Sequence, residues 1–471
     1  MRISVSNKIY VHDASPEVFE WCRNNLQFPN PEYAKKQNMG LWLGDTLPEI
    51  VLWERRGKDA ILPYGCLWRF LSSFPHASAS VDYKVYREGR LYGIAYGSKI
   101  DLFDYQKTAA DCVRGASGVL VMPCGSGKTQ TALSLVASYG ARTLWITHTQ
   151  DLLMQSRDRA LSCFEIDERT MGTITAGKVN VGSSITFATV QTLSNIDLEP
   201  YKDYWDVVIV DECHKAVGTP TKLMMFYKVV SQLSALIKLG LTATPKRNDG
   251  LERCMYALLG EKLYEVPEEA VAKNTVPIRV QMWEDGSFMP DSCEFTNADG
   301  TINPAMLTEA VCKCSGRNQE IARIVQEENR RGNTVLVLSD RVQHLTDLRA
   351  LVGEDYTEQV FSMGASKKAR SARREMLDKL KRKELRCVFA TYQLAKEGLD
   401  IPTLNTVILA TPKKDSITVI QSCGRVGRKA PGKNVGIVYD IIDTRFPMFM
   451  RYARKRQSMY KTKKYTIINK L

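Results

Sequence analysis

The residues best suited to chemistry stand in one stretch, Val119 to Gln130, which reads VLVMPCGSGKTQ. Its apolar run is broken by Pro123, a loop of small residues follows, and a helical pattern begins at Lys128. Glycines in such a loop let backbone N–H groups approach phosphate oxygens, and the N-terminus of the following helix favours negative charge. The stretch therefore predicts a phosphate-binding loop. Its residues are Cys124, Gly125, Ser126, Gly127, Lys128 and Thr129.

Two side chains of this loop have distinct expected roles. Lys128 can reach the β- and γ-phosphates, and the Thr129 hydroxyl can ligate Mg²⁺, so ATP and Mg²⁺ are the expected cofactors. Met122 occupies the position where the general pattern has its first glycine. The mechanism survives this departure because the later half of the loop makes the anion contacts. The alternative is a glycine-rich loop that binds no nucleotide.

A pair of carboxylates, Asp211 and Glu212, supplies what a phosphate loop alone lacks. They follow the apolar run Val207 to Val210, which predicts a buried strand. One carboxylate at a strand end can hold Mg²⁺, and its neighbour can orient and deprotonate the attacking water. We assign Asp211 to the metal and Glu212 to the water. His214 has two interpretations: an inter-domain hydrogen bond that senses nucleotide, or a satisfied polar group at the sheet edge.

A third group, Gln421 to Arg428 (QSCGRVGR), follows another apolar run. Its two arginines, Arg425 and Arg428, stand three residues apart and are set off by glycines, which suits a short segment that presents guanidinium groups across a cleft. They are expected to act as arginine fingers. One domain would then bind the nucleotide and the other would complete the active site, so that hydrolysis is coupled to domain closure.

Two blocks of the chain contain the elements that must position these residues. In each, short apolar runs without polar alternation are separated by helical stretches, which predicts a parallel sheet covered by helices on both faces. The fold class is therefore α/β, with two parallel-sheet domains in tandem after a small N-terminal α/β domain. The expected boundaries are 1–98 for the N-terminal accessory domain, 99–265 for the first sheet domain, 266–317 for a linker, 318–445 for the second sheet domain and 446–471 for a basic C-terminal tail.

Charge along the chain indicates a polyanionic partner. The net charge is +13, while residues 363–386 and 451–471 together contribute +15, so the remainder is slightly acidic. Two concentrated basic segments favour nucleic acid lying against the C-terminal half. The alternative is a solvated helix face and a disordered solubilising tail. Aromatic side chains near Arg55 and Arg56 in the N-terminal domain could stack on bases, although most are expected to be core.

Composition limits the remaining classes of function. The 12 cysteines lack the spacing of a complete zinc site and are interpreted as reduced thiols. The N-terminus lacks the apolar region of a secretion signal, and no apolar run has membrane-spanning length. We therefore expect a cytoplasmic protein with no membrane partner, acting as a monomer.

The ordered motifs resemble those of superfamily 2 helicases and translocases, whose motor consists of two RecA-like domains. The resemblance covers about residues 100 to 445 and is closest to the XPB-like group, which includes phage branch-migration enzymes of the UvsW type. The matching segments, in family order, are Tyr105-Gln106, PCGSGKT (123–129), THTQDLL (147–153), ATVQTL (188–193), DECH (211–214), TAT (242–244), LVLSDRVQHL (336–345), ATYQLAKEGLDIP (390–402) and QSCGRVGR (421–428). Phe103 stands where related chains often carry arginine, which is a departure at the adenine-reading segment.

This resemblance implies roles that the residues alone do not. Gln106 would contact adenine, and Gly398 and Asp400 would contact ribose or the facing domain. Gln421, Arg425 and Arg428 would contact the γ-phosphate. The implied protein is an ATP-dependent motor on single-stranded, duplex or branched DNA, located in the host cytoplasm if phage-encoded. The alternatives are an RNA-dependent ATPase, the motor subunit of a restriction or defence complex, and a non-catalytic nucleic-acid scaffold.

Overall fold

Two compact units make up the chain, Met1–Glu268 and Glu269–Leu471, and each is described by itself. A computed structural model describes residues 1–83, 93–123, 125–216, 220–245, 249–287, 295, 297, 301–353, 357–361, 372, 375–380, 382, 384–398, 401 and 403–469. Just over half of the basic segment 363–386 lies outside the described residues. In the part of the chain that is described, no helix is long and apolar enough to cross a membrane.

The first unit begins with a five-stranded sheet whose strand order is β5-β6-β2-β1-β7. A separate pair, β3 and β4, encloses a short helical excursion. The elements are β1 (Arg2–Val5), β2 (Lys8–His12), α1 (Pro16–Leu26), β3 (Gln27–Pro29), α2 (Pro31–Asn38), β4 (Glu49–Val51), β5 (Glu54–Arg56), β6 (Asp59–Pro63), α3 (Leu67–Ser73) and β7 (Val81–Tyr83).

The rest of this unit is an eight-stranded sheet of order β11-β10-β12-β9-β13-β14-β8-β15, in which every pair except β10 with β11 is parallel. The elements are α4 (Asp104–Val113), β8 (Gly118–Val121), α5 (Lys128–Tyr139), β9 (Thr143–Thr147), α6 (Gln150–Cys163), β10 (Gly172–Thr175), β11 (Lys178–Asn180), β12 (Ile185–Thr189), α7 (Val190–Leu193), β13 (Val207–Asp211), α8 (Pro220–Val230), β14 (Ile237–Thr242), α9 (Glu252–Leu259) and β15 (Lys262–Glu265).

A buried lysine joins the two sheets of the first unit. Lys238 on β14 donates to the carbonyl oxygens of Asn7 and Val230, at 3.3 Å each, and its ammonium lies 4.5 Å from the centre of the Tyr64 ring. Backbones also meet nearby, since a Cβ added to Gly65 would stand 2.4 Å from the Gly260 nitrogen. The N-terminal region therefore packs on the sheet that carries the phosphate loop, at β14 and at the turn after α9.

The second unit contains a seven-stranded, entirely parallel sheet of order β18-β19-β17-β20-β21-β16-β22. Helix α10 (Glu268–Ala272) spans the boundary between the units. The other elements are β16 (Ile278–Asp285), α11 (Pro304–Lys313), α12 (Ser315–Arg330), β17 (Val335–Ser339), α13 (Val342–Val352), β18 (Thr357–Phe361), β19 (Cys387–Thr391), α14 (Tyr392–Gly398), β20 (Thr406–Leu409), α15 (Ser416–Val426), β21 (Gly436–Asp443), α16 (Pro447–Thr462) and β22 (Thr466–Asn469).

The α/β class and the two tandem parallel sheets are confirmed. Two predicted segments have more structure than their names imply. Residues 266–317, the predicted linker, contribute β16, which pairs with β21 on one side and β22 on the other. Residues 446–471, the predicted tail, form α16 and β22. A buried ion pair fixes α16, because Arg456 donates to both carboxylate oxygens of Asp440 on β21.

Candidate active site

The phosphate loop follows β8 and ends at the first turn of α5. Gly125 and Gly127 both have φ of 80°, a left-handed conformation that favours glycine. A second constraint acts on Gly127, because an added Cβ would stand 2.3 Å from the Gln106 side-chain nitrogen. Glycine at these two positions lets the loop turn into the N-terminus of α5, which carries Lys128 and Thr129. Cys124 lies outside the described residues.

The predicted carboxylates lie at the carboxyl end of β13, as the sequence requires. Glu212 Oε1 is 3.7 Å from Lys128 Nζ, so the loop and the carboxylate pair form one site. Glu212 has φ of 50°, a strained conformation for a residue other than glycine. Such strain is concentrated at functional positions, where surrounding contacts hold the backbone in place.

Burial and neighbouring charges give the two carboxylates different pKa values. Desolvation, and then the charge of Glu212, raises the pKa of Asp211 to about 7. Burial alone would also raise the pKa of Glu212, but the charge of Lys128 and the contact with His214 outweigh it and lower that pKa. Of the two carboxylates, Asp211 is therefore the one that holds a proton more readily when no cation is bound. A divalent cation at Asp211 would replace that proton.

These residues fit a Mg²⁺ ion. Asp211 is 6% exposed, and its Oδ1 accepts a hydrogen bond from the Glu212 backbone nitrogen at 2.9 Å. The other oxygen of Asp211 and the hydroxyl of Thr129 are hard oxygen donors of the kind that Mg²⁺ prefers. Mg²⁺ held there would neutralise phosphate charge.

His214 connects this pair to the neighbouring strand. Its Nδ1 lies 3.2 Å from Glu212 Oε2 and 2.9 Å from the Thr242 hydroxyl at the end of β14. The same hydroxyl accepts a hydrogen bond from the Thr244 backbone nitrogen at 3.1 Å. His214 is therefore a bonded link within the first unit, between the carboxylates and the segment 242–244.

Gln106 lies beneath the phosphate loop. It is 1% exposed, its Nε2 donates to the Ser126 carbonyl oxygen at 2.7 Å, and its Oε1 accepts from the Phe103 backbone nitrogen at 2.9 Å. Tyr105 donates its hydroxyl hydrogen to the same Ser126 oxygen at 3.0 Å. The resemblance predicts that Gln106 contacts adenine; the structure places its amide against the loop.

The second unit holds Gln421, Arg425 and Arg428. The first two are on α15, with Gln421 8% exposed, and Arg428 lies two residues beyond the helix. The backbone of Arg428 forms an antiparallel bridge with Thr275, and the nitrogen of Val276 donates to the Gly427 oxygen at 2.8 Å. The segment that carries the arginines is therefore anchored to the chain that precedes β16.

Two further predicted residues come from the segment after β19. Gly398 is the last residue of α14, and Asp400 lies outside the described residues. Their expected contacts with ribose or the facing domain stay predictions.

Three polar residues make contacts that the sequence did not indicate. Lys215 Nζ meets His148 Nε2, and Gln191 Nε2 donates to the His148 carbonyl oxygen at 2.7 Å. Lys215 directly follows His214, whereas His148 and Gln191 belong to the matching segments 147–153 and 188–193. The only sequence signal was their position, since each follows a buried strand of the same sheet.

Comparisons with known proteins match two families and several relatives. The family described as type III restriction enzyme, res subunit, matches residues 99–247, and the family described as helicase conserved C-terminal domain matches residues 316–430. A putative ATP-dependent RNA helicase of Acanthamoeba polyphaga mimivirus is 29% identical over 357 residues, covering 75% of this chain and 65% of the relative. The DNA 3'-5' helicase XPB of Mycobacterium tuberculosis is 26% identical over 380 residues, covering 76% of this chain and 63% of the relative.

Solved structures show the same fold at low identity. Dbp5 of S. cerevisiae bound to RNA and ADP BeF3 gives a TM-score of 0.55 at 13% identity, covering 79% of this chain and 90% of that one. The type ISP restriction-modification enzyme LlaBIII bound to DNA gives a TM-score of 0.52 at 17% identity, covering 83% of this chain and 33% of that one.

A phosphate loop, a carboxylate pair at the end of another strand of the same sheet and a second parallel sheet with an arginine segment are typical of the RecA-like fold. The chain belongs to the superfamily 2 helicases and is of the XPB-like type. Members of this superfamily use ATP. The match spans slightly less than two thirds of the length of the two relatives above.

Proposed function

We propose that this protein is a DNA-stimulated ATPase that moves along DNA and unwinds or remodels it, branch migration included. The observation that carries the proposal is the site in the first unit, where Lys128 stands 3.7 Å from Glu212 beside the buried Asp211. A scaffold that only holds nucleic acid needs neither the carboxylate pair nor the strained Glu212 backbone. We therefore favour an active ATPase over a scaffold.

Each residue has a definite part in the proposed reaction. Lys128 and the backbone N–H groups of the loop bind the β- and γ-phosphates, while Asp211 and Thr129 hold Mg²⁺. Glu212 orients the attacking water and takes its proton. Arg425 and Arg428 of the second unit stabilise the charge that develops on the γ-phosphate. Water attack then requires both units, which makes hydrolysis sensitive to whatever brings them together.

An exposed basic face of one helix supports nucleic acid as the ligand that stimulates hydrolysis. The segment after residue 450 contains no acidic side chain, and four of its basic residues are exposed on α16. These residues form the α16 stripe: Arg451, Arg454, Lys455 and Lys461. Their spacing of three, one and six residues places them along one side of the helix, opposite the buried Arg456. Such a row can neutralise successive phosphates of a strand.

RNA is the second candidate substrate. The mimiviral relative is named an RNA helicase and the XPB relative a DNA helicase. Motors of this type hold mainly the phosphodiester backbone, which DNA and RNA share. We favour DNA because the family resemblance from the motifs is to XPB-like enzymes.

ATP turnover measured with single-stranded, duplex, forked and four-way-junction DNA and with RNA tests the proposal. We expect slow turnover alone and much faster turnover with DNA. Glu212→Gln serves as the matched control, because it preserves shape and removes the base. Equal turnover with and without nucleic acid would refute the coupling. Stimulation by RNA but not by DNA would show that RNA is the substrate.

A further inference from the structure

The connection between α15 and β21, residues 427–435, contains a buried lysine. Lys433 is 7% exposed, and its Nζ donates a hydrogen bond to the carbonyl oxygen of Leu404, which is 1% exposed. Arg428, one of the two expected arginine fingers, lies in the same connection. The side chain of Lys433 therefore ties the connection that carries Arg428 to a point outside it.

Leu404, the acceptor, belongs to a part of the second unit that the motifs also associate with nucleotide. Its backbone nitrogen donates to the Ile401 carbonyl oxygen at 3.2 Å, and Ile401 lies in the matching segment 390–402. That segment includes Gly398, for which a contact with ribose or the facing domain is predicted. The lysine thus joins the connection of Arg428 to the segment 390–402.

The backbone of the connection closes without this side chain. A Cβ added to Gly436 would stand 2.4 Å from the Val426 carbonyl oxygen, so the two ends of the connection already meet. Between them, residues 430–433 form a turn closed by a backbone hydrogen bond of 3.1 Å, with Gly432 at a φ of 77°. What the Lys433 side chain adds is therefore a bond to a different part of the unit.

Burying this ammonium is electrostatically unfavourable. Desolvation, and then the positive charge of Arg428, lowers the pKa of Lys433 to about 8. The bond of its Nζ to Leu404 is to a neutral carbonyl oxygen and not to a carboxylate. An apolar side chain of similar length would fill the same space without the cost of burying a charge. The position of Lys433 is therefore better explained by what its bond holds in place than by stability.

We propose that Lys433 is a positioning residue for Arg428: its bond to Leu404 fixes the connection relative to the segment 390–402, so that Arg428 meets the γ-phosphate in the geometry that hydrolysis requires. The inference rests on the proposed function, because it requires that Arg428 stabilise the transition state of ATP hydrolysis. Lys433 itself contacts no nucleotide in this role. Displacing a catalytic group by about 1 Å can lower turnover by roughly 10²-fold, which sets the size of the expected effect.

Lys433→Met tests the inference, because methionine keeps an unbranched apolar chain and removes the donor. For ATP hydrolysis by the full chain with saturating duplex DNA, we expect kcat to fall by roughly 10- to 100-fold. KM for ATP should stay within about threefold of the wild-type value, because the arginine acts on charge that develops only in the transition state. An unchanged kcat, or a change confined to KM, would overturn the proposal.

A double-mutant cycle shows whether the lysine acts through the arginine. Arg428→Ala alone should slow single-turnover hydrolysis by roughly 10³-fold or more. Adding Lys433→Met to that variant should then cost less than about twofold further, because the group that the lysine positions is already absent. Losses that multiply in the double variant would show a purely structural role and refute the positioning of Arg428.

Lys429→Met is the matched control. Lys429 is an exposed residue of the same connection, and its Nζ also donates to a carbonyl oxygen, that of Lys273 at 2.9 Å. Its loss should leave kcat within about twofold of the wild-type value. An equal loss in both variants would mean that any anchor of the connection suffices, which contradicts a specific role for Lys433.

Thermal unfolding of each variant separates positioning from general stability. A kcat defect of Lys433→Met that disappears at a lower temperature, where the variant is fully folded, would also refute the proposal. Absence of ATP hydrolysis by the wild-type chain would instead refute the proposed function, and full activity of Arg428→Ala would refute both.

Discussion

The α16 stripe gives a quantitative prediction about affinity for DNA. Replacing its four residues with alanine removes up to four phosphate contacts. Each contact contributes roughly 0.7 to 0.9 to the slope of log affinity against log salt, because it releases condensed counterion. The slope should therefore become shallower by about 3. Between about 50 and about 200 mM salt, the wild-type chain should lose roughly 60-fold more affinity than the variant.

Point substitutions are needed here, because truncating the segment would damage the fold. Arg456 is 2% exposed and donates three hydrogen bonds to Asp440 and one to the Lys413 carbonyl oxygen at 2.7 Å. Tyr460 donates to the same carboxylate at 2.9 Å. Leaving Asp440 buried without its partner would cost about 3 to 5 kcal/mol. The stripe residues are exposed, so their loss should change stability by less than about 0.5 kcal/mol each.

Fluorescence anisotropy with labelled DNA across a salt series measures the slope. The matched control compares Arg454→Ala/Lys455→Ala with Arg323→Ala/Arg330→Ala on α12, since both doubles remove two exposed positive charges. Arg323 is ion-paired with Glu320 at 2.9 Å, which makes it less available to phosphate. The first double should flatten the slope and the second should not. An unchanged slope in a folded stripe variant, or equal flattening by both doubles, would refute contact through α16.

Three other outcomes follow from the site and its supports. Lys128→Ala should lose both binding and hydrolysis of ATP, whereas Glu212→Gln should retain bound Mg-ATP and lose hydrolysis, as equilibrium binding and single-turnover assays would show. Arg428→Ala should lower turnover by roughly 10³-fold or more, and Lys429→Ala, which removes a neighbouring charge, should not. Burial lowers the pKa of Lys238 to about 7, so the folded chain binds fewer protons than the unfolded chain from there up to the ordinary lysine value. Its contribution to stability therefore rises with pH in that window, by about 1 kcal/mol per unit, and urea unfolding of Lys238→Met should lack this rise.

The sequence predicted the strands that are buried on both faces. Runs such as 207–210 and 335–338 are continuously apolar because helices cover both sides of each parallel sheet, and they correspond to β13 and β17. β16 was not predicted, because its residues are not continuously apolar. Its side chains alternate between buried and accessible, as at Ile278, Arg279 and Val280, and Pro277 precedes it, so the segment resembles a linker.

α16 was not predicted, because its segment is rich in basic residues. Its buried residues, Phe449, Ala453, Arg456 and Tyr460, recur at helical spacing, but one of the four is an arginine. Only the fold shows that this arginine meets Asp440, sixteen residues earlier, in the interior. A buried ion pair between separate elements has no local signal in a sequence, and a dense run of basic residues is ordinarily interpreted as solvated.

The order of the strands explains contacts between site residues that the spacing of the motifs does not predict. In the order β12-β9-β13-β14-β8, loops distant in sequence leave the same sheet edge side by side. Contacts between His214 and Thr242 join the loops after β13 and β14, and those between Lys215, His148 and Gln191 join the loops after β13, β9 and β12. The residues around Glu212 and the segments 147–153 and 188–193 thus share one edge of the sheet, joined by side-chain contacts. We therefore expect a change in the position of Glu212 on nucleotide binding to shift His148 through the contacts of His214 and Lys215 within the first unit.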